Sequence, residues 1–429
     1  MKKNYIRFSL ILTVFLILNA CLTGFIPIFL SNTNNFNEKS SIKLSSPGKT
    51  PLWNYTTKGS VNQVAISSDG NYIAVGSNDN KTYLFNKSTS TPIWNYTLGG
   101  EVESIALSSD GNYIAAGTGG LDNKIYLFQQ SSNIPIWNYS TGGVINSIAI
   151  SSNGNYIVAA SKDYNIYFFD NSIITPKLPL WTYSLIDDFV SKISISADGN
   201  YIAASSHNSL IYLFDRSSSP TKTPIWNYTT GDESWAVDIS PSGNYIVGVS
   251  DDHHIYFLDK SSSTLKNPLW NFTTDIVMND VEISSNDNYI IAADGAGKLY
   301  FLNTLTTTPK TLLWNYTAGA AVWSVAISSN GDYIAAGSND NKTYLFDKST
   351  STPIWNYTTM GNVNSVAMSS KGDYIVAGSD DFNVYLFFQE VPSVNGKIPF
   401  GNFYLIFMVI GIISLMIITQ SKKNFKKKL

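Results

Sequence analysis

Tryptophan recurs along this chain with a period that dictates its architecture. Trp53, Trp94, Trp137, Trp181, Trp226, Trp270, Trp314 and Trp355 are separated by 41 to 45 residues. Most follow an apolar residue preceded by proline (Pro51-Leu52, Pro92-Ile93, Pro224-Ile225, Pro353-Ile354), and most are followed by Asn, an aromatic residue and Thr or Ser. Between them the text repeats nearly word for word: VAISSDGNYIAVGSNDNKTYLF at 64–85 returns as VAISSNGDYIAAGSNDNKTYLF at 325–346. A unit of this size cannot bury its apolar face alone, so adjacent copies must stack on one another.

Each unit reads as four short strands. Val61–Ser67 is a β-rich run, Ser68-Asp69-Gly70-Asn71 is turn chemistry, and Tyr72–Ser77 is apolar and β-competent. Asn78-Asp79-Asn80 turns again, Thr82–Phe85 is a third strand, Lys87–Pro92 is a polar connection and Ile93–Thr97 is a fourth. Four antiparallel strands per unit are the pattern of a propeller blade. A lone fourth strand, Leu52–Thr57, precedes the first complete triplet, and a lone triplet, Val363–Phe387, follows the last fourth strand. Their pairing predicts an eighth blade built from both ends of the domain, which closes the ring and removes its exposed edges. The expected fold is all-β: an eight-bladed β-propeller over residues 51–390, closed by its N-terminal strand, with hydrophobic helices at both ends.

The remainder of the chain predicts topology. Residues 9–30 are apolar after a short basic head (Lys2, Lys3, Arg7), and 400–419 hold no charge, long enough for a helix across a hydrocarbon core of roughly 30 Å. Residues 1–30 read as a signal peptide or signal anchor, 31–50 as a polar linker, 391–399 as a second linker, 400–420 as a transmembrane helix and 421–429 as a basic cytoplasmic tail. Lys422, Lys423, Lys426, Lys427 and Lys428 place that tail inside and the propeller outside the cell. Leu18-Asn19-Ala20-Cys21 resembles a lipobox with an atypical Asn. Cys21 is the only cysteine, so the folded body holds no disulfide, thiolate nucleophile or cysteine metal site.

Charge supports the same partition. Charged residues make up 14% of the chain, against roughly 25% in ordinary globular proteins. With 22 Phe, 26 Tyr and 10 Trp, the chain is neither disordered nor a coiled coil. Outside the eight basic residues of the two ends, 20 cations face 31 acids, and Arg216 is the only arginine there. Nucleic-acid binding, which needs Lys and Arg on phosphate, is thereby disfavoured.

VAISSDGNYIA resembles the first two strands of WD-repeat proteins. IYLFD followed by PIWNYT (Ile211–Asp215, Pro224–Thr229) resembles the tryptophan-docking repeat of quinoprotein-like, pyrroloquinoline-quinone-type propellers. The resemblance implies that the eight Trp pack between neighbouring blades as a girdle. The Gly-His and Trp-Asp pairs of WD repeats are absent. The vicinal disulfide of quinoprotein dehydrogenases cannot form, so the scaffold is inferred without the dehydrogenase activity and no cofactor is expected.

Repetition supplies an internal alignment in which departures can be read. The position held by Asn62 is Glu103, Asn146, Ser191, Trp235, Asn279, Trp323 and Asn364 in the other copies. If the first strand lines the channel, these side chains ring its mouth. Trp235 and Trp323, with Asn279 between them and Asp232 and Glu233 beside them, read as a candidate aromatic clamp for a ligand. The competing reading is that both Trp plug a wide channel. Asp251-Asp252-His253-His254, in a turn of the same blade, are weak candidates for metal binding or acid–base chemistry, and turn formation is the stronger reading of their acids, since equivalent turns read Asn78-Asp79-Asn80 and Asp380-Asp381-Phe382. His207 stands alone in another such turn and receives no role. Sequons at Asn54, Asn80, Asn86, Asn95, Asn138, Asn227, Asn271, Asn315, Asn341 and Asn356 are candidate N-glycan acceptors, seven of them on the Trp-bearing strand.

No phosphate loop, Ser-His-Asp set, HExxH or paired-Cys motif occurs. The expected function is a membrane-anchored extracellular propeller that binds or scaffolds a surface protein or glycan, without catalysis. The alternatives are a quinoprotein-like oxidoreductase or propeller hydrolase, and an envelope-assembly scaffold.

Overall fold

The computed structural model describes residues 49–391, apart from 174–176, 186–187, 218–221, 262–265 and 306–309. The two apolar segments, Cys21, most of the N-terminal linker and the Lys-rich tail lie outside the described residues. Among the described residues, no helix is long and apolar enough to cross a membrane.

Among the described residues, thirty-two strands form eight four-stranded antiparallel sheets, and seven of these run in simple sequence order. In blade one, Val61–Ile66, Tyr72–Ser77, Lys81–Asn86 and Trp94–Thr97 succeed each other from the first strand to the fourth. Blade eight combines Val363–Met368, Tyr374–Ser379 and Asn383–Phe388 with the first strand of the domain, Trp53–Thr56. There Trp53 faces Leu386 and Thr56 faces Asn383 in register. The two ends of the domain therefore meet in one sheet, as the count of orphan strands required.

Every blade needs its neighbours to bury its faces. Eight apolar clusters exist, and each draws on two adjacent blades. At the rim, the Trp of one blade lies on a third-strand Phe of the next. Trp53 meets Phe85, Trp94 Phe128, Trp137 Phe169, Trp181 Phe214, Trp314 Phe346 and Trp355 Phe387, at ring separations of 5.1–5.7 Å. Leu258 and Leu302 take the place of Phe beneath Trp226 and Trp270.

The rim indoles are covered in two ways that follow the length of the third-to-fourth-strand connection in the next blade, and the N–H groups of Trp181 and Trp226 find no acceptor among the described residues. Short connections let Trp53, Trp94 and Trp314 donate to the carbonyls of Lys87, Gln130 and Lys348 at 2.8, 2.8 and 2.9 Å. Longer ones fold a lysine back over the ring. Lys177, Lys222, Lys266 and Lys310 sit 4.4–5.1 Å above Trp137, Trp181, Trp226 and Trp270, a cation–π contact in each case.

Two further ties cross the blade boundaries on the face opposite the start of the first strands. Gly70, at a φ of 73°, lies so close under Tyr374 that an added Cβ would stand 2.5 Å from the ring. Only glycine tolerates both the conformation and the approach. The Ser68 N–H donates to Ser109 O, Ser109 N–H to Ser152 O, and the run returns through Ser370 N–H to Ser68 O. It is interrupted at Pro241, which has no N–H to donate. There, Ser242 Oγ reaches Asp287 Oδ2 at 2.7 Å instead.

Because Trp355 docks on the ring-closing blade, Trp355→Ala is expected to cost about 3–5 kcal/mol. Denaturant unfolding of the full chain reads this loss; a change under 1 kcal/mol (about a fivefold shift in the unfolding equilibrium) would show that rim docking does not hold the ring.

Candidate functional site

The first strands line a central channel whose cavity measures about 350 Å³. Each is an edge strand with unpaired N–H groups that need acceptors. The chain supplies these from side chains of the preceding blade. Ile105 N–H donates to Gln63 Oε1 at 2.8 Å, Ile193 N–H to Ser147 Oγ at 3.1 Å, and Val64 N–H to Ser365 Oγ at 3.2 Å. In blades five and six the acceptors are carboxylates. Asp238 Oδ2 takes Ile283 N–H at 3.0 Å, Asp280 Oδ2 takes Val325 N–H at 3.0 Å, and Glu282 Oε2 takes Ile327 N–H at 3.1 Å.

Lys192, on the first strand of blade four, passes blade five to pair with Asp280 of blade six. Burial alone would push its pKa down, and the charges of Asp280, Glu282 and Asp238 hold it above the ordinary value. Burial raises Asp238 despite its hydrogen bonds. Burial, with the charges of Asp238 and Asp280, pushes Glu282 up to about 8. Sequence reading missed this cluster, although the internal alignment contains it. Its third and fifth first-strand positions are mostly Ser and Ala, and Lys192, Asp238, Asp280 and Glu282 depart from them.

At the mouth, all eight first strands shift register between their first and third residues. The residue between is the extra one of a β-bulge, which re-aims its side chain. These are the positions of Asn62, Glu103, Asn146, Ser191, Trp235, Asn279, Trp323 and Asn364. The asparagines stitch blades together. Asn62 Nδ2 donates to Val102 O at 3.1 Å, Asn279 Nδ2 to Val322 O at 3.0 Å, Asn364 Nδ2 to Val61 O at 3.2 Å, and Asn146 Nδ2 to Ser191 O at 3.1 Å.

Trp235 and Trp323 make no such bond and stand 38% and 48% exposed. They occupy separate slots. Trp235 lies between blades four and five with His207 against its ring at 4.6 Å, and Phe189 also packs on the imidazole, at 4.2 Å. His207 Nδ1 meets Glu233 Oε2 at 2.9 Å. His207 is thus part of the mouth. Its signal was positional, since it precedes the turn by the same step as Asn78 and Asp251. Trp323 borders a cavity of about 330 Å³ with Asn339, Asn362 and Asn364, between blades seven and eight. A ligand touching both indoles would have to reach from one slot to the other.

The turn of blade five does hang beside Trp235, with Asp251 N–H on Glu233 O at 2.8 Å. Asp232 is exposed and accepts Glu233 N–H at 2.9 Å. Asp252 accepts from Gly231 N–H, His254 N–H and the Tyr256 hydroxyl, which shapes the turn. The ring nitrogens of His254 contact Asp252 O and Thr273 Oγ1, and His253 is exposed at a φ of 66°. Asp251 Oδ1 is buried without a partner. The equivalent Asp380 receives Asn364 Nδ2 at 2.7 Å, whereas Trp235 stands in the asparagine's place.

Among the described residues, no group of three or more His, Cys, Asp or Glu gathers as a metal site. A calcium-held quinone does not fit the channel either, because its carboxylates already serve backbone N–H groups and Lys192.

A carboxyl raised in the native state stabilises it fully below the unfolded pKa near 4.5 and loses that contribution as pH rises through about 8. Glu282→Gln is expected to flatten the fall in melting temperature between about pH 5 and about pH 9, and parallel profiles would contradict this. Lys192→Met strands Asp280 and should cost about 3–5 kcal/mol in denaturant unfolding, against no loss if the pair is inert.

A family model described as outer membrane protein assembly factor BamB (PQQ_2) matches residues 38–266, and the model of the WD domain, G-beta repeat, matches 310–347 and 352–387. A search of curated proteins finds no match. Among solved structures, Chaetomium thermophilum Sqt1 bound to the N-terminus of the ribosomal protein L10 is similar over 80% of this chain and 100% of its own, at 16% identity and a TM-score of 0.69. The computationally designed Ika8 protein is similar over 78% of this chain and 98% of its own, at 14% identity and a TM-score of 0.66. These likenesses concern the fold. The first family match spans more than half of the chain, and the protein belongs to that family of PQQ-like, WD-repeat-like propellers.

Proposed function

We propose that this chain is a binding or scaffold module, held outside the membrane by its C-terminal apolar segment, that recognises a surface protein or glycan on its channel-mouth face and performs no chemistry. The observation that carries the reading is the exposure of Trp235 and Trp323 at bulge positions where other blades place stitching asparagines. Exposed indole supplies large contact area at low entropic cost. The channel beneath is crossed by the Lys192–Asp280 pair, which leaves the indoles free for contact at the mouth.

Extracellular placement rests on the uncharged segment at 400–419 and the lysines that follow it. The outer strands suit that location. Asn54, Asn95, Asn138, Asn227, Asn271 and Asn315 of the sequons are exposed, and Asn356 is half-buried. Because the matching family is described as an assembly factor, envelope assembly is the second reading, and it would use the same face.

Proximity labelling with the full chain in its own membrane separates these readings. The wild type is expected to label a defined partner set that Trp235→Ala plus Trp323→Ala loses while its melting temperature is kept. Partners confined to envelope-assembly components would favour the second reading, and a partner set unchanged by the double substitution would overturn the mouth as the binding face.

A further inference from the structure

The slots at the mouth are equivalent positions filled differently. Between blades four and five, His207, Glu233 and Trp235 occupy the places that Asn339, Asn362 and Asn364 hold between blades seven and eight. The first set closes on itself, ring against ring and imidazole on carboxylate. The second set leaves a cavity of about 330 Å³, at the small end of the roughly 300–1,000 Å³ of small-molecule sites.

Its lining is chemically narrow. Trp323 offers a half-exposed indole face. Asn362 Nδ2 and Asn364 Nδ2 both donate to the Asp380 carboxylate, at 3.1 and 2.7 Å, which fixes the two amides and occupies that charge. Their Oδ1 atoms carry no hydrogen bond among the described residues, and the Asn339 side chain carries none at either end. The cavity therefore presents one flat aromatic surface, three amides with open hydrogen-bonding positions, and no charged or aliphatic side chain in its wall.

A ligand that matches has an apolar face to lie on indole, several neutral donors and acceptors at its edge, and no net charge. A pyranose ring meets each requirement: its axial C–H face packs on an aromatic ring, and its hydroxyls both donate and accept. An extended peptide would seek a side-chain pocket or an unpaired strand edge, and this lining has neither. We propose that the slot between blades seven and eight is a subsite for a neutral saccharide, with Trp323 as the stacking platform and Asn339, Asn362 and Asn364 as the hydroxyl-binding groups. The proposal rests on the binding-module reading and names its ligand class.

Saturation-transfer NMR and calorimetry of the full chain in detergent micelles test it, with methyl β-D-glucopyranoside, methyl α-D-mannopyranoside and N,N′-diacetylchitobiose as probes and glucuronic acid as an anionic control. At least one neutral probe is expected to bind in preference to glucuronic acid, with transfer strongest at its ring C–H protons. Trp323→Ala should weaken it about tenfold and Asn339→Ala less, with melting temperatures unchanged. Absence of binding by every neutral probe, or binding that survives Trp323→Ala, overturns the proposal. If the probes fail while partner labelling still depends on Trp235 and Trp323, the saccharide subsite falls and the binding module stands. If labelling is also indifferent to both indoles, both readings fall.

Discussion

The contact on which the structure depends is the docking of each rim tryptophan on the third strand of the next blade. A four-stranded sheet of this size has two faces to bury and little apolar mass of its own. The indole extends one blade over its neighbour, and the eight apolar clusters each span two blades. Stability is thus shared around a ring in which no blade is complete alone. Closure is the special case: Trp355 on Phe387 and Trp53 on Phe85 flank a sheet assembled from both ends of the domain, and Gly70 under Tyr374 locks the same boundary.

Such a ring sets its rim and its channel apart. The rim repeats because docking must repeat, and variation there stays within the docking task, with a lysine over the indole ring in some blades and a carbonyl on the indole N–H in others. At the channel, the requirement on each first strand is only an acceptor for its exposed N–H. Ser, Gln, Asp or Glu all satisfy it, so these positions are free to drift toward charge. Blades four to six have done so with Lys192, Asp238, Asp280 and Glu282, and at the mouth blades five and seven carry an indole where other blades carry a stitching asparagine. Asp251 Oδ1, buried without a donor beside Trp235, marks where that exchange disturbed the local hydrogen bonding.

The fold was legible because its cause is periodic. Trp spacing, the Ser-x-Gly turns and the two orphan ends imply eight blades and their closure directly, and strand limits moved by a residue or two, as where Thr82–Phe85 extends to Lys81–Asn86. Apolar helices at the chain ends fall outside the described residues. The site was legible in part. Trp235 and Trp323 stand out from their column, but the bulge that points them outward, and the separate slots they enter, arise from pairing register and from neighbouring blades. His207 looked like an isolated turn residue because Glu233 and Trp235 approach it only across a blade boundary, and Phe189 reaches it from the start of its own blade. Asp252, a weak ligand candidate better read as a turn former, forms its turn as Asp79, Asp163, Asp340 and Asp381 do: it holds the turn after the second strand to the incoming loop and to a Tyr hydroxyl.

The central claim is that binding resides on the mouth face, where the repeat is broken, and not on the opposite face, where Ser68, Ser109 and Ser152 continue it. Hydrogen exchange of the full chain, with and without its captured partner, measures this directly. The account predicts slowed exchange at the backbone of 232–235 and 362–364 and unchanged exchange at the 67–72 turn and its repeats. Protection confined to those opposite turns would contradict it.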